Sequence, residues 1–164
     1  MFTMDELGII WRAGLSPREK LLFLLGLNCG FTQKEIATLR RSECHLDGKK
    51  PYIARRRPKT GVPARWRLWP ETVELLRKLM APPNDDDLAL LTQGGKPLVF
   101  VDEYFMKSDT IRADWARMLL KADLGCYPKL RYLPPRKRRD YEPYKKVRNL
   151  SFKYLRKTGA NMTR

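Results

Sequence analysis

The sequence predicts a mainly α fold with small antiparallel β-hairpins, an α+β arrangement. Three observations carry this. The boxes Ser16-Pro17-Arg18-Glu19 and Thr32-Gln33-Lys34-Glu35 each open a helix, because the Ser or Thr and the Glu satisfy one another's backbone N–H groups. The run LLFLLGL, Leu21 to Leu27, is apolar nearly all round, as a central buried helix requires. The strand-like runs PYIARRR and VPARWRLW flank the turn PKTG.

In chain order, residues 4–14 read as a short first helix. Ser16 caps a second, with Pro17 at its first position, where a missing N–H is harmless. Gly30 ends it, and Thr32 starts a short third helix from Gln33 to about Arg40. The pattern then changes at Cys44. Asp47-Gly48 is a turn signal, and the hairpin around PKTG follows. Trp69-Pro70-Glu71 enters another helix, with Val73, Leu76 and Met80 on one face and Glu74 to Lys78 as an i,i+4 pair. Ala81 to Asp87 is an acidic, Pro-rich loop. LALLTQGGKPLVF reads as a second hairpin around Gly94-Gly95. Ser108 is the expected cap of a helix with Ile111, Trp115, Met118, Leu119 and Ala122 as its core stripe. Residues 128–148 read as a basic loop that a partner orders. A last helix begins near Ser151. No boundary divides the chain, so 1–164 reads as one domain.

Composition narrows the function. The chain has 164 residues, of which 43% are hydrophobic, enough for a core and too apolar for a disordered chain. The longest apolar run falls far short of the roughly 20 residues of a membrane span, and MFTMDELGII lacks a basic signal-peptide start. The expectation is no membrane partner and a reduced, cytoplasmic setting, since Cys29, Cys44 and Cys126 have neither metal spacing nor an even count. His45 is the only histidine and sits beside a turn, so it is expected at the surface. No phosphate-binding loop, Cys/His cluster or paired acids are present, and no metal or small-molecule cofactor is expected.

Thirty-four Lys and Arg against eighteen Asp and Glu give a formal charge of +16, which favours a polyanionic partner, nucleic acid first. The charge is clustered. Lys49 to Arg67, around the hairpin, contains Arg55, Arg57, Arg65 and Arg67. Lys129 to Arg148 contains Arg136, Lys137, Arg138, Arg139, Lys145 and Lys146, alternating with Tyr132, Tyr141 and Tyr144. Lys and Arg neutralise phosphates and release counterions, and Tyr adds hydrogen bonds or stacking. Neither segment carries a base-reading code, so the expectation is backbone binding. In the last helix, Phe152, Leu155, Gly159 and Met162 share one face and Lys153, Lys157 and Arg164 the other. Arg156 stands at the border, where packing can hold a planar fork ready for a phosphate.

The order of these segments resembles the catalytic domain of the tyrosine recombinases, the phage-integrase family. CGFTQKEIATL is similar to the family's T-G-x-R-x-x-E-L-x-x-L corner, and RRSECHLDGKKPYI to its next turn and strand. PKTG, with Lys59, is similar to the lysine before Thr-Gly in the family's hairpin. RLWPETVELLRKL resembles the following helix entry, and KYLRKTGA the H-x-x-R helix in which lysine can replace histidine. The resemblance covers about residues 15–164. It implies an integrase catalytic-domain-like fold, double-stranded DNA and other recombinase protomers as partners, and a setting of DNA recombination and integration by a mobile element in a bacterial or phage-like cytoplasm. It implies strand exchange without a cofactor, in which a tyrosine attacks a phosphodiester. By resemblance, Arg156 clamps the phosphate, Lys59 protonates the leaving 5′-oxygen and Lys153 holds the histidine-or-lysine place.

The sequence departs from the family at two points. The first catalytic arginine maps to Thr32, with Lys34, Arg40 and Arg41 as nearby cations. The family's L-G-H motif and nucleophilic tyrosine have no counterpart before Arg164, so these residues alone are expected not to complete strand exchange. The alternative reading is a non-catalytic, basic DNA- or RNA-binding or regulatory module.

Overall fold

A computed structural model describes residues 2–57, 61–101, 103, 105–122, 124 and 151–162. Among them are six α-helices: α1 (Met4–Arg12), α2 (Pro17–Asn28), α3 (Gln33–Ala37), α4 (Pro70–Leu79), α5 (Thr110–Lys121) and α6 (Lys153–Met162). Five short strands form two antiparallel sheets. Strands β1 (Cys44–His45), β2 (Tyr52–Arg56) and β3 (Pro63–Arg67) make the first, in that order, and β4 (Val99–Val101) with β5 (Lys107–Asp109) the second. This is the mainly α, α+β class that the sequence predicts. No described helix is long and apolar enough to cross a membrane.

Helix α2 is the axis of the core. Every residue from Leu21 to Leu27 is buried, which explains why its apolar residues show no single face. Helix α6 crosses it at very close range. A Cβ at Gly26 would lie 2.8 Å from Leu155 Cδ1, and one at Gly159 would overlap the carbonyl oxygen of Leu27. Two glycines therefore let two helix backbones approach where any side chain would wedge them apart. Phe152, just before α6, meets Trp115 of α5 edge-on at 5.3 Å, and Phe2 meets the same indole at 5.7 Å. The Phe2 N–H donates to Thr158 Oγ1 at 3.1 Å, so the start of the chain is tied to α6.

Asn28, at the end of α2, fixes the sheet to the helices. Its Nδ2 donates to the Arg67 carbonyl at 3.1 Å, and its Oδ1 accepts from Trp69 N at 2.9 Å and from the buried Thr72 hydroxyl at 3.3 Å. Strand β3 thus leaves the sheet, and α4 begins, at one side chain.

Several local expectations need correction. Helix α3 stops at Ala37 rather than Arg40, because Leu39 and Arg40 turn extended and pair with the 88–89 segment: Ala89 N donates to Leu39 O at 2.8 Å, and Arg40 bridges Leu88. The turn at Gly94-Gly95 closes only one bridge, Leu91 to Pro97. The ladder forms further on, between β4 and β5. Asp109, not Ser108, caps α5. Its carboxylate accepts from Arg112 N at 2.9 Å, while Ser108 lies in β5. Glu74 and Lys78 do not close an ion pair among the described residues. A third strand, β1, pairs Cys44 with Ile53 and His45 with Tyr52, which the hairpin motif alone did not reveal. The loop expected at 128–148 lies outside the described residues.

Candidate nucleic-acid interface

The corner after α2 is built by Gly30, whose φ of +64° is left-handed and suits glycine. That turn lets Phe31 N reach back to the Leu25 carbonyl at 3.2 Å. The capping box then starts α3. Thr32 N donates to Glu35 Oε2 at 2.8 Å, and Glu35 N donates to Thr32 Oγ1 at 3.4 Å. Thr32 therefore has a structural task at the place where the resembled family carries an arginine.

Arg156 is delivered to this corner by α6. A Cβ at Gly30 would sit 3.2 Å from Arg156 Cγ, so the arginine stem lies directly over the glycine. Its Nη1 stands 3.6 Å from Glu35 Oε2, beyond hydrogen-bond range, and its side chain is 45% exposed. Glu35 is itself buried. The guanidinium is thus aimed by packing, attracted by a buried carboxylate and still open to solvent. Lys153 and Lys157 project from the same helix. Both are exposed, with their Nζ atoms 5.4 and 6.0 Å from the Tyr154 ring.

The first sheet separates the hairpin arginines. Register pairs Ile53 with Trp66 and Arg55 with Ala64 on one face, and Tyr52 with Arg67 and Ala54 with Arg65 on the other. Arg55 is on the inner face. Its side chain is 7% exposed, Nη1 donates to the Glu35 carbonyl at 2.6 Å, and Nη2 donates to Thr38 O and Oγ1, each at 3.2 Å. Its Nε stands 3.4 Å from Glu43 Oε1, without hydrogen-bond alignment. Arg55 therefore fastens α3 to the sheet. Arg57 is exposed, with its guanidinium carbon 6.0 Å from the Trp66 ring, which in turn meets Phe31 edge-on at 5.0 Å. On the outer face, Arg65 lies 4.1 Å over Tyr52, Tyr52 stacks on the exposed His45 at 4.5 Å, and Arg67 is exposed.

Lys59, Arg136, Lys137, Arg138, Arg139, Lys145 and Lys146 lie outside the described residues. Of the cations near Thr32, Arg41 is turned to the 81–91 loop, where Nη1 donates to the Ala81 carbonyl and its N–H to Asp87 O. Sequence reasoning passed over Glu35 as the counter-charge of Arg156. Its only signal was its place in the capping box, which accounts for it locally. Also missed was a groove between β3 and α4, lined by Lys49, Trp66, Arg67, Trp69 and Lys78 among others. The interleaving of Trp and Arg in ARWRLW was its trace.

Burial pushes the Cys29 and Cys44 thiols up, the latter to about 12, so neither is a ready nucleophile or thiolate ligand. Among the described residues no His, Cys, Asp and Glu gather in a group that could hold a metal ion.

No protein-family model matches the chain, and no curated protein matches it. Among solved structures, a crystal structure of XerA recombinase superposes with a TM-score of 0.61 at 15% sequence identity. The match covers 99% of this chain and 49% of that one, so the chain spans about half the length of that protein. At this identity the likeness establishes the architecture: an α+β, recombinase-like fold.

Proposed function

We propose that this chain is a tyrosine-recombinase-type domain that grips duplex DNA by its phosphates, in the service of site-specific recombination or integration of a mobile element. The observation that carries the reading is the position of Arg156. It belongs to the Lys153-x-x-Arg156 motif, and packing brings it onto the Gly30 corner, far away in sequence. A recombinase-like fold and a charge of +16 support the same partner.

The chemistry follows from the side chains. A phosphodiester under attack gathers charge on its non-bridging oxygens, and a bidentate guanidinium neutralises that charge. Arg156 has no hydrogen bond within the described residues and stands only in loose ion-pair range of Glu35, so its fork is free to take a phosphate. Lys153 and Lys157 flank it, and Arg57, Arg65 and Arg67 extend the positive surface along the hairpin. Lys59 is the proposed proton donor to a leaving 5′-oxygen. The clamp has one arginine rather than two, because Thr32 closes the helix start. An absent donor of this kind removes about 3 kcal/mol of transition-state stabilisation, which favours holding DNA over cleaving it. Other recombinase protomers are the proposed protein partners, and the bacterial or phage cytoplasm the proposed setting.

Duplex affinity measured against salt tests this reading. Arg156→Ala should weaken binding about tenfold and more than Lys146→Ala does, with a log–log salt slope shallower by about 1. Equal losses in the two variants would make Arg156 one surface charge among many. Clear preference for structured RNA over duplex DNA would overturn the assignment.

A further inference from the structure

We propose that the groove between β3 and α4 binds an unpaired stretch of nucleic acid. The groove encloses about 1170 Å³. Lys49, Arg67 and Lys78 line it and form no ion pair with a carboxylate among the described residues. Arg77 also lines it, held by the Leu46 carbonyl at 2.6 Å and by Asp47 at 3.7 Å. Glu74 is the one acid among its lining residues. Trp66 and Trp69, both half-buried, supply the aromatic surface.

This combination selects among polyanions. A duplex keeps its bases stacked inward and offers phosphates on a convex surface, so two indoles inside a concavity would gain nothing from it. An acidic protein segment would satisfy the cations and likewise leave the indoles unused. A single strand brings phosphates for the cations and free base faces for the indoles, the pairing by which such strands are held without sequence preference. The groove is separate from the phosphate site proposed above: Thr32, Glu35 and Arg156 do not line it. The two meet at the end of α2, where Asn28 lines the groove two residues before Gly30, and at Arg65 and Arg67, which line the groove and also belong to the hairpin's positive surface; Lys49 and Lys78 belong to the groove alone.

The inference takes from the proposed function only the class of ligand, and the experiment separates the two. Binding of the full chain to short oligothymidylate, to a duplex of the same length and to polyglutamate is measured by fluorescence anisotropy, with tryptophan emission followed in parallel. Oligothymidylate should bind and quench the emission. Lys49→Ala/Lys78→Ala should lower the ratio of single-strand to duplex affinity at least fivefold, and Arg156→Ala should raise it. Trp66→Phe/Trp69→Phe, which keeps an aromatic face at each position, should retain most of the affinity and lose most of the quenching. Duplex binding without oligothymidylate binding would overturn the groove site and leave the proposed function standing. An unchanged affinity ratio in the lysine variant, or displacement by polyglutamate as effective as by oligothymidylate, would also overturn it. Binding of oligothymidylate alone would support the groove and overturn the duplex reading.

Discussion

Glu19 and Glu35 stand at the third helical position of the same motif, one opening α2 and the other α3. Each accepts from its N-cap backbone N–H, at 2.7 and 2.8 Å, and each is buried. Their cations differ. Lys121 Nζ donates to Glu19 Oε2 at 2.7 Å, and Arg117 stands 3.8 Å from Oε1 while holding Asp114 at 3.0 Å. Arg18 reaches the same Asp114 at 3.0 Å, so two acids and three cations close into one network that ties α2 to α5. Among the described residues Glu35 has one cation near its carboxylate, the half-exposed Arg156, at 3.6 Å. One motif thus anchors a framework, while the other holds an arginine without using it up. A buried carboxylate stabilises most when its cation is bonded to it. It leaves that cation available for another anion when the contact is loose.

The sharpest way to break this contrast is to move the helix that carries the arginine. Gly159→Ala places a methyl against the Leu27 carbonyl, backbone that cannot step aside, and should cost about 3 kcal/mol in urea unfolding, in the upper range for overpacking. Duplex affinity should fall with it, because Arg156 is displaced from the corner. Next comes the closed network. Lys121→Met leaves Glu19 buried beside a more distant Arg117 and should cost about 2 kcal/mol, reduced from the fully buried case by the partial exposure of the lysine. Arg156→Ala should change stability by less than about 0.5 kcal/mol, as a half-exposed pair should, although it weakens DNA binding as described above. Equal destabilisation by Lys121→Met and Arg156→Ala would erase the distinction between the two boxes.

Acid sharpens the comparison further. Burial alone would raise the Glu19 carboxyl, but the Lys121 ammonium and the Ser16 N–H and hydroxyl outweigh it and hold the group below its ordinary value of 4.5. Its folded pKa is therefore the lower one. The stabilisation is complete above about 4.5 and is lost as pH falls through the folded value. Unfolding free energy measured below pH 4.5 should drop less steeply in Lys121→Met than in the parent chain. The smallest effect concerns Cys44. With its thiol pushed up to about 12, chiefly by burial, it should react with iodoacetamide on the order of a hundredfold more slowly in the folded than in the unfolded chain at mildly alkaline pH. Equal rates would mean that the sheet edge opens readily.

Much of this was legible in the sequence, because local rules sufficed. The boxes at Ser16 and Thr32, the corner at Gly30, the buried run of α2 and the stripe of α5 all follow from spacing and side-chain chemistry. What escaped were pairings that only the fold creates. Nothing near Glu19 announces Lys121, and nothing near Glu35 announces Arg156. The basic cluster around the hairpin makes Arg55 an expected DNA-binding residue. Only the alternation of β2, with Arg55 on the face of the buried Ile53, turns it inward to bind the Glu35 and Thr38 carbonyls. The end of α3 departs from the local pattern for a similar reason: Leu39 and Arg40 have helical neighbours in sequence and an extended partner in space.

Gly159 acts as an index mark between two rods. If α6 slid along α2 by one residue, Thr158 or Ala160 would meet the Leu27 carbonyl, and neither can come as close as a residue without Cβ. One position without a side chain thus sets the phase of the whole helix. With the phase set, the helix itself carries Arg156 to Gly30, and its loose contacts there with Gly30 and Glu35 add little to the fold. In a randomised library of α6 selected only for stable folding, position 159 should stay glycine while position 156 drifts freely. Selection for DNA binding should recover arginine at 156 only in clones that kept the glycine.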